Sequence, residues 1–347
     1  LFNIYGYNQV KFGLFGGPQT QAAGANTEGT LGYREYGKYI VEAEKLGYSS
    51  AWLFEHHFSG FGQPSSSLNL LCYFAGITNT IRLGSAVVVL PWHNPILLAE
   101  QIGTLDVVSN GRYDFGVGRG YRNTEFHGFG IDHQEAGAIY RESMDIILRA
   151  WRETERWSYK SKRWEFNNII VEPDTIQKPH PPLWQGAGSP GSIRQAAQQG
   201  YSLLLDQILS FEDVGEKIAI YRSEVESLGR QFDPYSVGVT RGLMVAHNAK
   251  QREAAHAVRN QFVSRVKALT SGAKSKSPTF NPVGEVKNET EMSENGAILG
   301  DKKEMIERVE KLYECGVRNI LLHDLTGSTE ALREFALEVS PKFTNKT

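Results

Sequence analysis

The sequence predicts an α/β protein: a closed (β/α)8 TIM barrel with an inserted hairpin and a long lid-like loop. Three observations carry this. Short β-rich runs alternate with amphipathic helical stretches along the chain. Eight such runs can be counted, the number a closed barrel needs. Several are apolar without interruption, as in Ser85-Ala86-Val87-Val88-Val89-Leu90 and Ile320-Leu321-Leu322. Such runs fit strands buried on both faces of a parallel sheet. The open doubly wound sheet is the competitor, and the strand count favours the barrel.

The first strand is Val10–Phe15. In the helix after it, Tyr36, Ile40, Ala43 and Leu46 fall on one face, and Gly47 stops it. Strands at Ser50–Leu53, Arg82–Val89 and Tyr113–Val117 follow, separated by helices at Leu68–Thr78 and Pro95–Val108. Pro95 suits a first helical turn, where its missing N–H costs nothing. A helix over Ile139–Thr154 leads into residues 157–173, which break the alternation and predict an inserted hairpin. Strands at Pro182–Gln185 and Ser202–Leu205 alternate with helices at Ser192–Gln198 and Phe211–Leu228. The last strands are Val237–Val245 and Asn319–His323, with helices at Ala249–Leu269, Lys302–Glu314 and Thr329–Val339. Residues 271–297 are polar and turn-rich without periodicity. So long a segment inside a compact domain is usually a lid or disordered, and a mobile lid is expected here. One domain over 1–347 is the expected organisation.

Of the 347 residues, 40% are hydrophobic and 22% charged, a globular composition. With 37 basic and 39 acidic residues, no cationic excess is available to neutralise a nucleic-acid backbone. No apolar run reaches the roughly 18 residues of a membrane span. Two cysteines, Cys72 and Cys315, are too few for a disulfide framework or a structural zinc site, so reduced thiols are expected. Leu1 to Asn8 lack a basic segment followed by an apolar core, which predicts no secretory leader and a cytoplasmic location.

In a barrel, function gathers at the C-terminal ends of the strands. After the second strand comes Glu55-His56-His57-Phe58. Consecutive residues of an extended segment face opposite ways, so at most one imidazole faces a pocket. The alternative is a pair of loop histidines satisfying local hydrogen bonds; metal binding is not expected. After the fourth strand, Gly116-Val117-Gly118-Arg119-Gly120-Tyr121 lets a ligand approach the backbone, and Arg119 offers a planar fork to a phosphate. A tight turn with a surface arginine is the alternative. After the fifth, Gly186-Ala187-Gly188-Ser189-Pro190-Gly191-Ser192 matches G-x-G-x-x-G and opens a helix, with Asp206 twenty residues beyond Gly186. That imitates a dinucleotide fingerprint. A mononucleotide phosphate on a helix N-terminus draws on the same physics, and Ser189 and Ser192 add hydroxyls. The third strand ends in Leu90-Pro91-Trp92-His93-Asn94-Pro95, where Trp92 either walls a pocket or packs.

Together these segments resemble the bacterial luciferase-like flavin monooxygenases, from Lys11 to about Phe343. The matching stretches are FGLF, AWLFEHHF, RLGSAVVVLPWHNP, LDVVSNGRYDFGVGRG and PPLWQGAGSPGSIRQAAQQG, in order and at barrel spacing. The resemblance implies a β/α barrel that binds reduced FMN supplied by a separate flavin reductase. Arg119, Gly188, Ser189 and Ser192 would hold the phosphate. Ala86 and Val87 fall where the family often has a non-proline cis peptide behind the flavin, and Glu55 falls near the ring. His56 matches the family's catalytic histidine and would be a general base. Phe58, Trp92, Gly118 and Tyr121 are expected to line the substrate pocket.

The chemistry implied is reaction of O2 with reduced FMN to a flavin hydroperoxide, which attacks a small aldehyde- or ketone-like substrate in a closed, dry pocket. Light-emitting members carry a cysteine where this chain has Gly118. The glycine is expected to enlarge the pocket and remove a thiol, which points to non-luminous relatives. A homodimer through Leu68–Thr78 and Pro95–Val108 is also implied. A deazaflavin-dependent oxidoreductase on the same barrel, a non-catalytic flavin-binding protein and, distantly, a nicotinamide dehydrogenase are the alternatives.

Overall fold

The structure, a computed structural model, describes residues 9–18, 32–60, 62–271 and 294–344. Eight parallel strands close a ring: β1 (Lys11–Gly16), β2 (Ser50–Leu53), β3 (Arg82–Ser85), β5 (Tyr113–Gly118), β8 (Leu183–Gly186), β9 (Ser202–Leu205), β10 (Val237–Val245) and β12 (Asn319–Asp324). Pairing of β10 with both β9 and β12 shuts the barrel. The predicted fold is therefore the observed one. The third strand is interrupted, and its continuation β4 (Val88–Val89) pairs with β5.

Helices α1 (Tyr33–Lys45), α2 (Ser67–Ile77), α3 (Pro95–Val108), α5 (Ala136–Arg152), α6 (Pro190–Gln199), α7 (Phe211–Ser227), α8 (Ala249–Ser271), α9 (Lys302–Glu314) and α10 (Thr329–Glu334) fall at or near the predicted helices. A short helix, α4 (Asn123–Phe129), was not predicted. Between α5 and β8, β6 (Trp157–Lys160) and β7 (Glu165–Ile169) pair antiparallel. Most of 271–297 lies outside the described residues, but its last residue is not loop: Ala297 opens β11 (Ala297–Gly300). Gly242 and Leu243 pair with β12 on one edge and with β11 on the other, so β11 stands above β9.

The two-residue period sorts side chains to the two faces of the barrel wall. Ala51, Leu53, Leu203, Leu205, Ile320 and Leu322 join the large core under the helices. The residues between them, Trp52, Leu204 and Leu321, join Trp184 inside the barrel. Trp52 and Trp184 meet edge to face at 5.0 Å. Glycines make room for them: a Cβ on Gly84 would lie 2.2 Å from the Trp52 ring. Phe15, Ala86 and Val87 pack on this plug and form the floor on which the site is built.

Candidate active site at the mouth of the barrel

A cavity of about 490 Å³ opens above that floor, lined by residues from the C-terminal ends of β1, β2, β5, β8 and β9, from the β3–β4 break and by Thr240 within β10. The cavity lies at the end of the barrel where function ordinarily gathers. Glu55, His56, Ala86, Val87, Gly118, Arg119, Tyr121, Gly188, Ser189 and Ser192 all line it. The Ala86–Val87 peptide is cis, where the resemblance implied it.

Of the paired histidines, His56 lines the cavity and His57 does not. His56 Nδ1 lies 3.1 Å from Glu125 Oε1. The same oxygen accepts the His57 backbone N–H at 3.0 Å. A carboxylate only accepts, so Nδ1 is assigned the proton and Nε2 keeps the lone pair. Burial and the nearby Arg122 guanidinium hold the His56 pKa below its ordinary value, although Glu125 pulls it up. At neutral pH His56 is therefore an uncharged imidazole whose Nε2 makes no hydrogen bond to the described residues.

Glu55 is 2% exposed. Its Oε1 lies 3.0 Å from His57 Nε2 and 3.1 Å from His93 Nε2. Burial pushes its carboxyl up, but the two imidazole contacts outweigh that and hold it below the usual range. Its charge is thus already engaged from behind the cavity. Two expected pocket residues lie elsewhere. Trp92 stacks on Phe129 at 4.9 Å and meets Phe126 edge-on at 4.7 Å. Phe58 is 59% exposed and packs on Phe129. Trp92 is thus packed among aromatic rings, and neither residue lines the cavity. Gly118 also departs from expectation: a Cβ there would meet Val87 Cγ2 at 2.6 Å. Val87 fills that room, so the glycine does not enlarge the pocket.

Part of the lining is cationic. Arg119 is joined by Arg141 and Lys217, neither singled out from sequence. Arg119 and Arg141 form no hydrogen bond or ion pair to the described residues, and Lys217 Nζ donates to Gly188 O at 2.7 Å. Ser189 caps α6, and its hydroxyl and that of Ser192 form a reciprocal capping box. Their oxygens thus fix the helix N-terminus whose dipole favours an anion. Gln185 Oε1 and Tyr140 Oη are buried on the cavity wall without a hydrogen-bond partner among the described residues. Such orphans are costly unless a ligand or water meets them.

Glu125, His93, Arg141 and Lys217 were not legible from spacing. Glu125 lies 69 residues from His56. Among the described residues no cluster of His, Cys, Asp or Glu could hold a metal, and no helix is long and apolar enough to cross a membrane.

Among curated proteins, the oxygenase component of a flavin-dependent trigonelline monooxygenase from Acinetobacter baylyi is 31% identical over 188 residues, 53% of this chain and 51% of that protein. An alkanal monooxygenase alpha chain from Photorhabdus luminescens is 28% identical over 200 residues, 55% and 54% of the two chains. The chain spans about half the length of the curated relatives it matches. Two solved structures share the fold: monooxygenase RslO1 from Streptomyces bottropensis (TM-score 0.82, 22% identity, 96% and 100% covered) and the oxygenating constituent of 3,6-diketocamphane monooxygenase from Pseudomonas putida with FMN (0.75, 19%, 96% and 98%). An F420-dependent secondary alcohol dehydrogenase does so too (0.76, 15%, 97% and 100%). The family model for luciferase-like monooxygenases matches residues 10–319, and the chain belongs to that family.

Proposed function

We propose that this protein is the oxygenase of a two-component monooxygenase that uses reduced FMN and O2 to oxidise a small aldehyde- or ketone-like molecule. One observation carries the reading: a single cavity holds three cations, Arg119, Arg141 and Lys217, and a half-buried neutral histidine, His56, held by Glu125. The residues fit FMN. The cations and the α6 N-terminus suit its phosphate, and the orphaned Gln185 and Tyr140 atoms suit a polar ligand with both donors and acceptors.

Bound reduced FMN supplies the electron pair that activates dioxygen. The protein does the rest. Arg119 and Lys217 anchor the phosphate end. Phe15, Val87, Val89, Leu204 and Leu209 form apolar wall that keeps water from the reacting centre. Nε2 of His56 accepts the proton released as the substrate reacts, and Glu125 stabilises the imidazolium through Nδ1. A separate flavin reductase as partner is supported by the trigonelline relative, whose name identifies it as an oxygenase component. Cys72 and Cys315 are free thiols, which fits a reducing cytoplasm. A homodimer is supported by α2 and α3, which leave Tyr73, Leu97, Val107 and Val108 exposed by 41–57%.

Reduction with a deazaflavin is the second reading, favoured by the F420-dependent neighbour. Anaerobic titration with reduced FMN and reduced F420 separates the two. Tighter binding of reduced FMN supports the monooxygenase; preference for reduced F420 replaces it.

A further inference from the structure

Across the cavity from His56 lies a group that the chemistry above does not use. Gln207 follows β9, and His56 follows β2. These strands stand four apart in the ring of eight, so the two side chains enter the mouth from opposite sides. Gln207 lines the cavity and is 6% exposed.

Its amide has only one chemically sensible orientation. Oε1 accepts from Arg259 Nη1 at 2.9 Å and lies 3.0 Å from His323 Nδ1. A guanidinium carries only donors, so a flipped amide would set N–H against N–H. Oε1 faces Arg259, Nδ1 of His323 carries its proton, and the Gln207 NH2 is turned away from both. That NH2 forms no hydrogen bond to the described residues. The supports are rigid. Arg259 is fully buried. His323 is wedged between the rings of Phe15 and Phe262, each at 5.3 Å.

The electrostatics add a direction. Arg241 and Arg259 are both fully buried, and neither forms an ion pair among the described residues. Arg241 donates only to the carbonyls of Thr240, Asp206 and Leu209. The Asp206 carboxyl, which also lines the cavity, offsets part of their charge; what remains polarises the surroundings. Arg259, bonded to Oε1, draws electron density from the amide and sharpens its N–H donors. This part of the wall presents N–H donors, beside the Asp206 carboxyl, to whatever faces His56.

We propose that Gln207 binds the carbonyl oxygen of the organic substrate and thereby sets the preference for carbonyl compounds, with Arg259 and His323 as positioning residues. This rests on the monooxygenase reading of the same cavity. A carbonyl oxygen gains negative charge when its carbon is attacked. A donor pair fixed in advance stabilises that change without reorganising.

The test uses FMN-saturated full-length protein, with cyclohexanone and hexanal as probes followed by calorimetry and by the infrared carbonyl stretch. The wild type should bind at least one probe and lower its stretching frequency. Gln207→Leu removes the donors. Gln207→Glu keeps the shape and pairs with Arg259, so it guards against misfolding while presenting only acceptors. Both should weaken probe binding about ten- to hundredfold and abolish the frequency shift, with FMN affinity unchanged. Arg259→Met should act in the same direction, and Arg259→Lys should restore binding. If FMN binds but neither probe does, or if the Gln207 variants hold the probes as tightly as wild type, the proposal is wrong and the flavin reading stands. If the variants lose FMN together with the probes, the amide serves the cofactor and the proposal is again wrong. If the wild type binds no FMN, both readings fall.

Discussion

Replacing Glu125 by glutamine probes the His56 dyad with the least disturbance. The carboxylate is 1% exposed and accepts from both the His56 ring and the His57 backbone. Glu125→Gln keeps an oxygen toward Nδ1 and removes only the charge. A hydrogen bond to a charged group contributes about 1.5–3 kcal/mol, against about 0.5–1.5 for a neutral one. The exchange therefore loses about 1–1.5 kcal/mol of support for the imidazolium, or roughly five- to tenfold in rate. His56→Ala removes the proton acceptor itself and should lose roughly 10²–10⁴-fold. Glu125 reaches the reacting proton only through His56, so adding Glu125→Gln to His56→Ala should cost nothing further. The pH profile supplies a second readout. On the proposed reading His56 would work as a base above its pKa, which already lies below the ordinary value, and Glu125 is a cause that raises it. Losing that charge moves the acidic limb of the profile to still lower pH. The assay measures product formed per reduced FMN consumed, across aldehydes and ketones, with a generic flavin reductase. A silent Glu125→Gln, or one equally harmful without His56, refutes the dyad.

Four further outcomes are expected. Arg119→Ala should weaken FMN binding by about 1.5–3 kcal/mol, as for a charge-assisted contact, with thermal stability unchanged; fluorescence titration and a melting curve check both. His323 is held down to about 3 by burial and by Arg259. Between that value and the ordinary one near 6.5 the unfolded chain binds the proton and the folded one does not, so stability rises with pH there by about 1.4 kcal/mol per unit; denaturant unfolding at pH 5 and 8 should show a difference about 2 kcal/mol smaller in His323→Asn. Gly118→Cys should lower stability by about 1–3 kcal/mol through overpacking against Val87, and Val87→Ala should restore part of it. Leu97→Glu should convert a dimer to monomer in analytical ultracentrifugation, whereas an unchanged sedimentation coefficient would remove α3 from the interface.

All eight barrel strands were legible because unbroken apolar runs such as Val87–Leu90 report burial on both faces, whatever the tertiary detail. The mouth was legible too, since loops after strands occupy one end of a barrel by topology. Strand β11 escaped because its four residues, Ala297 to Gly300, end a polar stretch and flow straight into the Asp301 cap of α9. Side-chain direction was not legible. Trp92 and Arg119 both sit in loops at the mouth, yet one packs on Phe126 and Phe129 and the other faces the cavity. Partnerships across the chain were lost altogether: neither Glu125 with His56 nor Arg259 with Gln207 leaves a local pattern, because folding alone brings them together.

Oxygen transfer itself is tested most directly by mass spectrometry of the products formed from purified protein, reduced FMN and 18O2 with the carbonyl panel. One labelled oxygen atom per oxidised product is the predicted result. Unlabelled product, or turnover that proceeds anaerobically with a reduced deazaflavin, contradicts it.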